Sequence, residues 1–278
     1  MVLIQTLPLP TPTPTLQATP LTPSAFAPFG AVLANPAPDT RPPSCQNSNS
    51  AGNGTADLLP PGAGAVVANQ GTAIQYRALA PPLQDLYADA PSGQPSTPRT
   101  TMFVCAARQL LVSPPESSSS SAASNRSSAS KSGGGLFFPV AVLERHPFTT
   151  QTFVPLGSSP SARYLVIVAP TLPSPPNPPV PVPVPATGKG AGPGLPDLQN
   201  LCAFVATGAQ AVTYGAGTWH APMAALGEHG SVIEFVVVQF ANDVPLEDCQ
   251  EVALDVGEGG KGAGVLVEVP RRVGESRL

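Results

Sequence analysis

Charge is what this sequence has least of. Asp, Glu, Lys and Arg make up 11% of the 278 residues, with a formal net charge of −4. There is no basic stripe to neutralise phosphates, which excludes a nucleic-acid partner, and no polybasic cluster to hold an anionic membrane surface. No apolar run approaches the roughly 18 residues of a spanning helix. There is no Cys-x-x-Cys pair: Cys45, Cys105, Cys202 and Cys249 lie far apart, so neither a structural zinc site nor a dithiol redox motif is expected. Buried free thiols in a reducing compartment are the simplest reading. Met1 to Pro10 lacks the basic start and long apolar core of a secretory signal.

What the chain has in excess is proline, 38 residues, and glycine, 26. Much of that sits in low-complexity stretches, leaving about 200 residues for a packed core, the size of one all-β domain. Pro8 to Pro20 alternates Thr and Pro and is expected to be extended, with nothing to pack. The Ser-rich segment 113–135 has almost nothing apolar to bury and is expected to be disordered. The Pro-Val repeats of 171–196 are expected to form an extended surface loop. Both insertions fall between strands, where added length costs little.

The remaining segments alternate or are continuously apolar. Leu21 to Gly30 reads as a short helix capped by Thr22, with Pro23 at its first position and Gly30 at its end. Val66 to Arg77 contains a turn at Asn69 to Thr72 between apolar residues; Asn69 is a turn residue or a site residue. Thr100 to Val112, Leu136 to Leu143 and Val232 to Phe240 read as strands. Tyr164 to Ala169 reads as a strand buried on both faces. Ala203 to Tyr214 reads as a hairpin turning at Thr207-Gly208. Strand after strand with few helical periods predicts an all-β fold, and the spacing of the turns favours a compact barrel.

Polar side chains concentrate in two stretches. In the first, Leu143 to Gly157, Glu144 and His146 are two apart and leave the same face of a strand, Gln151 follows, and Gly157 signals a turn. The second, Tyr214 to Pro222, carries Tyr214 and His220. His moves protons near neutral pH, and a nearby Glu can orient or replace it. The same residue types offer nitrogen and oxygen ligands to a divalent metal. Trp219, the only tryptophan, suits a core position. Arg145 and Arg163 read as solvated charges or carboxylate partners, and His229 as exposed in a turn.

Taken together, Leu143-Glu144-Arg145-His146-Pro147-Phe148 with Gln151 and Phe153 to Leu156, and Gly217-Thr218-Trp219-His220-Ala221-Pro222, resemble the signature blocks of the ureidoglycolate lyase family. Leu21 to Gly30, Asn69-Gln70-Gly71-Thr72 and Tyr164 to Ala169 are similar to further blocks of that family. The resemblance implies a cupin-like β-barrel, a single domain over 1–278, and a homodimer. It implies cleavage of (S)-ureidoglycolate to glyoxylate and urea, in purine breakdown through allantoin. It makes His146, His220 and Glu144 the catalytic candidates. Gln151 and Tyr214 become substrate-binding candidates, with Asn69 and Trp219 as second choices. The cofactor stays open between one divalent metal of nickel or zinc type and none, because neutral Gln151 stands where a ligand carboxylate is often found. An amidohydrolase releasing ammonia and a non-catalytic cupin-like binding module are the competing readings. The expected location is the cytoplasm, or the peroxisome if the terminal Ser276-Arg277-Leu278 is read as an address.

Overall fold

A computed structural model describes residues 2–45, 63–112, 135–174, 182–186, 188–255 and 264–271. Residues 113–134 of the Ser-rich segment, 175–181 of the Pro-rich one and the terminal tripeptide lie outside the described residues.

The chain is mostly β. An eight-stranded sheet runs β1 (Val2–Leu7), β18 (Gln250–Leu254), β10 (Val142–Arg145), β15 (Trp219–His220), β12 (Arg163–Ala169), β13 (Cys202–Thr207) and β3 (Thr19–Pro20), with β16 (Ala224–Leu226) also paired to β12. A five-stranded sheet runs β4 (Gly30–Leu33), β14 (Ala211–Tyr214), β11 (Gln151–Leu156), β17 (Val232–Ala241) and β7 (Thr97–Ala106). A four-stranded sheet runs β2 (Thr15–Gln17), β19 (Val265–Glu268), β9 (Leu136–Val140) and β8 (Leu111–Val112). The hairpin β5 (Ala65–Ala68) and β6 (Ala73–Tyr76) stands apart. Two one-turn α-helices, α1 (Pro23–Phe26) and α2 (Pro245–Asp248), and three 3-10 turns at Pro43–Cys45, Asn69–Gly71 and Tyr87–Asp89 complete the described elements.

Strand β12 explains the layering. Tyr164, Val166 and Val168 pack with Phe153, Val212, Tyr214, Phe235 and Val237 of the five-stranded sheet. Leu165, Ile167 and Ala169 point the other way, toward Phe138, Val265 and Val267 of the four-stranded sheet. An apolar residue at every position is what a strand between two cores requires, and period-two alternation sends successive side chains to opposite cores. Thr22 caps α1 as expected, accepting from Ala25 N at 3.3 Å. Gly157, at φ +65°, turns the chain after β11 as its position predicted.

Several expectations are corrected. Among the described residues the sheets are open paths, stacked rather than closed into one barrel. Ala203 to Tyr214 is not a hairpin: β13 pairs with β12 and β3, whereas β14 pairs with β11 and β4. Gln210 folds back on Thr207 N at 3.0 Å and on Leu21 O at 3.0 Å, so the chain crosses from one layer to the other. The Thr-Pro run Pro8 to Pro20 is extended as expected but not without packing: within it β2 runs parallel to β19 and β3 parallel to β13, and Ala18 between them is buried. The described end of the Pro-rich segment is no plain surface loop. Its carbonyls at Pro183, Gly192, Pro193 and Gly194 accept hydrogen bonds from buried side chains of the body.

Candidate active site

The two polar stretches meet where the eight-stranded and five-stranded sheets face each other. Glu144 on β10 and His220 on β15 are register partners in one sheet. Gln151 on β11 and Tyr214 on β14 are register partners in the other. His146 follows directly after β10. Gly217, at φ +78°, donates its N–H to His146 O at 2.8 Å and so ties one motif to the other. That left-handed conformation favours glycine.

All five side chains are buried. The rings of Tyr214 and His220 stack with centroids 4.0 Å apart, and those of His146 and His220 lie 5.7 Å apart. Glu144 Oε1 is 3.7 Å from His220 Nε2, beyond hydrogen-bond reach. Each imidazole is oriented by a backbone carbonyl. His146 Nδ1 lies 2.6 Å from Asp248 O and His220 Nδ1 lies 2.9 Å from Thr218 O. A carbonyl only accepts, so Nδ1 carries the proton in both rings, and both Nε2 lone pairs are left free. His146 Nε2, His220 Nε2, Gln151 Oε1 and Tyr214 Oη are buried without a hydrogen-bond partner. Four such atoms in one cluster are a strong sign of a ligand site, because unpaired buried polar groups cost stability.

Burial sets the protonation states. It pushes Glu144 up to about 7, helped by the neighbouring Glu251 charge. It pushes His220 down to about 3, with His146 repelling a second positive charge, and burial also lowers His146. Tyr214 is raised well above the usual phenol value and stays a neutral O–H. Cys249, its thiol pushed up to about 12 by burial and then by Glu144, lies 3.9 Å from Glu144 Oε2. Near neutral pH the site therefore holds two neutral imidazoles beside a carboxyl poised to gain or lose a proton.

Glu144, His146 and His220 each offer one ligand atom, and these lie within 4.8 Å of one another. Two free imidazole nitrogens and one carboxylate suit a nickel or zinc type ion with open positions, so the residues fit that group.

Of the second choices, neither joins the cluster. Trp219 points away from His220 into the opposite core, donates to Gly194 O at 3.1 Å and lies under Arg145, 4.4 Å from the guanidinium carbon. Asn69 sits exposed at the turn between β5 and β6, with φ +48°. Arg145 is not solvated. It is wholly buried and binds Gln250 Oε1, Gly192 O, Gly194 O and Pro193 O. His229 is exposed, as expected.

Two contributors escape a reading by motif. Asp248 presents its carbonyl to His146, and its carboxylate accepts from Tyr87 Oη at 2.6 Å and Asn242 N at 2.9 Å. Gln239 accepts from Gln151 Nε2 at 2.6 Å. A signal for Gln239 exists in the sequence: it continues the inward positions Ile233, Phe235 and Val237 as a polar residue.

A cleft of about 330 Å³ lies beside the cluster, lined by Phe29, Gly30, Thr150, Thr213 and Thr218 among others. None of the five cluster residues lines it. Thr150 and Thr213 adjoin Gln151 and Tyr214 in sequence, so the cleft flanks the chemistry without containing it.

The family model described as "Ureidoglycolate lyase" matches residues 13–258. Among curated proteins, the chain is 43% identical over 114 residues to a ureidoglycolate lyase of Schizosaccharomyces pombe, a match covering 41% of this chain and 48% of that protein. It is 41% identical over 115 residues to a ureidoglycolate lyase of Saccharomyces cerevisiae, covering 40% and 49%. It is 38% identical over 106 residues to one of Burkholderia mallei, covering 38% and 46%. The chain spans about half the length of the curated relatives it matches.

Proposed function

The chain belongs to the ureidoglycolate lyase family, and we propose that it cleaves (S)-ureidoglycolate into glyoxylate and urea. The observation that carries this reading is the set of four buried, unpartnered atoms, two imidazole nitrogens, an amide oxygen and a phenol, gathered beside a carboxyl near its midpoint at neutral pH. Ureidoglycolate has one carbon bearing a hydroxyl, a carboxylate and the ureido nitrogen. Its cleavage needs a base at the hydroxyl and an acid at the leaving nitrogen.

His220 Nε2 or His146 Nε2 takes the hydroxyl proton; both are unprotonated and aimed at the same space. The O–H electrons form the aldehyde C=O of glyoxylate as the C–N bond breaks. Glu144, protonated on part of the population at neutral pH, delivers a proton to the departing nitrogen, and urea leaves. Gln151 and Tyr214 hold the ureido and carboxylate groups. A metal held by Glu144, His146 and His220 would supply Lewis-acid polarisation of a substrate oxygen.

The stacked sheets are read as one domain over 1–278. A homodimer has a surface to use: β7 is the outer strand of its sheet, and Met102, Phe103 and Val104 are exposed on it. We read the location as the cytoplasm; no helix among the described residues is long and apolar enough to cross a membrane. The test is product analysis on (S)-ureidoglycolate. Equal amounts of urea and glyoxylate support the reading, and ammonia without urea overturns it in favour of an amidohydrolase.

A further inference from the structure

A free amide in a pocket can present either its N–H donors or its carbonyl acceptor, and which end faces the ligand decides what is recognised. In Gln151 one end of the amide faces a neighbouring side chain. Its register partner on one side is Tyr214. On the other side, the β11–β17 ladder, which runs Thr152 opposite Val238, brings Gln239 alongside it. Gln239 Oε1 accepts from Gln151 Nε2 at 2.6 Å. One N–H of the donor end is thereby engaged, and Gln151 Oε1 is left buried and unpartnered within the cluster. Gln239 itself is paired in register with Arg99 on β7, whose guanidinium is bound to Asp243.

We propose that Gln239 is a specificity-determining positioning residue: it fixes Gln151 with its acceptor toward the site, and that acceptor selects a ligand with a terminal N–H donor. The ligand class, a ureido compound, rests on the ureidoglycolate reading; the direction of the amide rests on the hydrogen bond alone. A ureido NH2 satisfies the orphaned oxygen. A methyl group of similar size leaves it buried and unpaired, which is how a hydrogen-bonding site rejects an isostere.

The test is calorimetric titration of the full chain with two probes that this chemistry cannot cleave. Hydantoic acid carries the ureido group and carboxylate without the hydroxyl, and N-acetylglycine replaces its terminal NH2 by CH3. Wild type is expected to prefer hydantoic acid by about tenfold. Gln239→Glu, whose carboxylate can only accept, is expected to keep that ratio. Gln239→Met, of similar length but with no comparable acceptor, is expected to bring it within about twofold of unity, because Gln151 can then turn. Gln239→Ala carries the same expectation and covers a failure of the Met variant to fold. A wild-type ratio near one, an undiminished ratio in the Met or Ala variants, or a loss in the Glu variant overturns the inference. These ratios do not depend on turnover. A wild type that shows them without cleaving ureidoglycolate overturns the activity reading alone, whereas cleavage with an unmoved ratio overturns the Gln239 inference alone.

Discussion

The ring of Tyr214 lies on the imidazole of His220, with centroids 4.0 Å apart and planes 11° apart. The two residues come from facing sheets, so the stack fixes the His220 ring across the gap between layers. Tyr214→Phe keeps the stack and removes only the unpartnered hydroxyl. We expect kcat/KM to fall about tenfold with little change in Tm. Tyr214→Ala removes ring and stack, and a cost of about 3–5 kcal/mol in denaturant unfolding is expected. Equal loss of stability in both variants would contradict the division of roles.

His220→Ala and His146→Ala are each expected to lower kcat by about 10²–10⁴-fold while the chain stays folded. His220→Gln and His146→Gln are expected to be nearly as inactive, since an amide cannot take a proton. Steady-state kinetics with circular dichroism as the folding control checks this. Full activity in either alanine variant would remove that residue from the chemistry.

Glu144 carries a pH signature. Its carboxyl binds a proton more tightly folded than unfolded, with its folded value at about 7 against 4.5 ordinarily. Its contribution to stability is therefore complete below pH 4.5 and is lost as pH rises through 7. Glu144→Gln is neutral throughout. In chelated protein unfolded by guanidinium chloride, wild-type stability minus variant stability is expected to fall by up to about 3 kcal/mol between acid and pH 8. A flat difference would contradict the burial of this carboxyl as a proton-binding group.

Arg145 joins the body to the Pro-rich segment. Burial lowers it to about 10, so it stays charged at neutral pH while donating to three successive carbonyls, Gly192, Pro193 and Gly194. Arg145→Met is expected to destabilise by about 3–5 kcal/mol, read as a lower denaturant midpoint, because those acceptors lose their donor. Arg145→Lys is expected to recover little, since a single ammonium cannot reproduce the fork or the stack on Trp219.

That the five candidate residues cluster was legible because they lie in two short motifs; the register that sets Glu144 on β10 opposite His220 on β15 is what brings the motifs together. The double burial of β12 was legible in the unbroken run Tyr164 to Ala169. What stayed hidden depends on partners far along the chain. Arg145 looked like surface charge because its acceptors are backbone carbonyls in a proline-rich stretch. Trp219 and His220 are adjacent, yet alternation sends them to opposite cores. The turn at Thr207 to Gln210 has the composition of a hairpin, and the crossing between layers shows in the strand pairings and in the bonds of the Gln210 side chain. The parallel pairing of β1 with β18 joins residues from the two ends of the described chain, and no local pattern encodes it.

The most direct measurement is the product balance on (S)-ureidoglycolate, with wild type and His220→Ala side by side and each run with and without chelator. The account predicts one urea and one glyoxylate per substrate consumed by wild type, no ammonia, and a rate lower by at least about 10²-fold in the variant. Ammonia in place of urea, or undiminished turnover by His220→Ala, would contradict it.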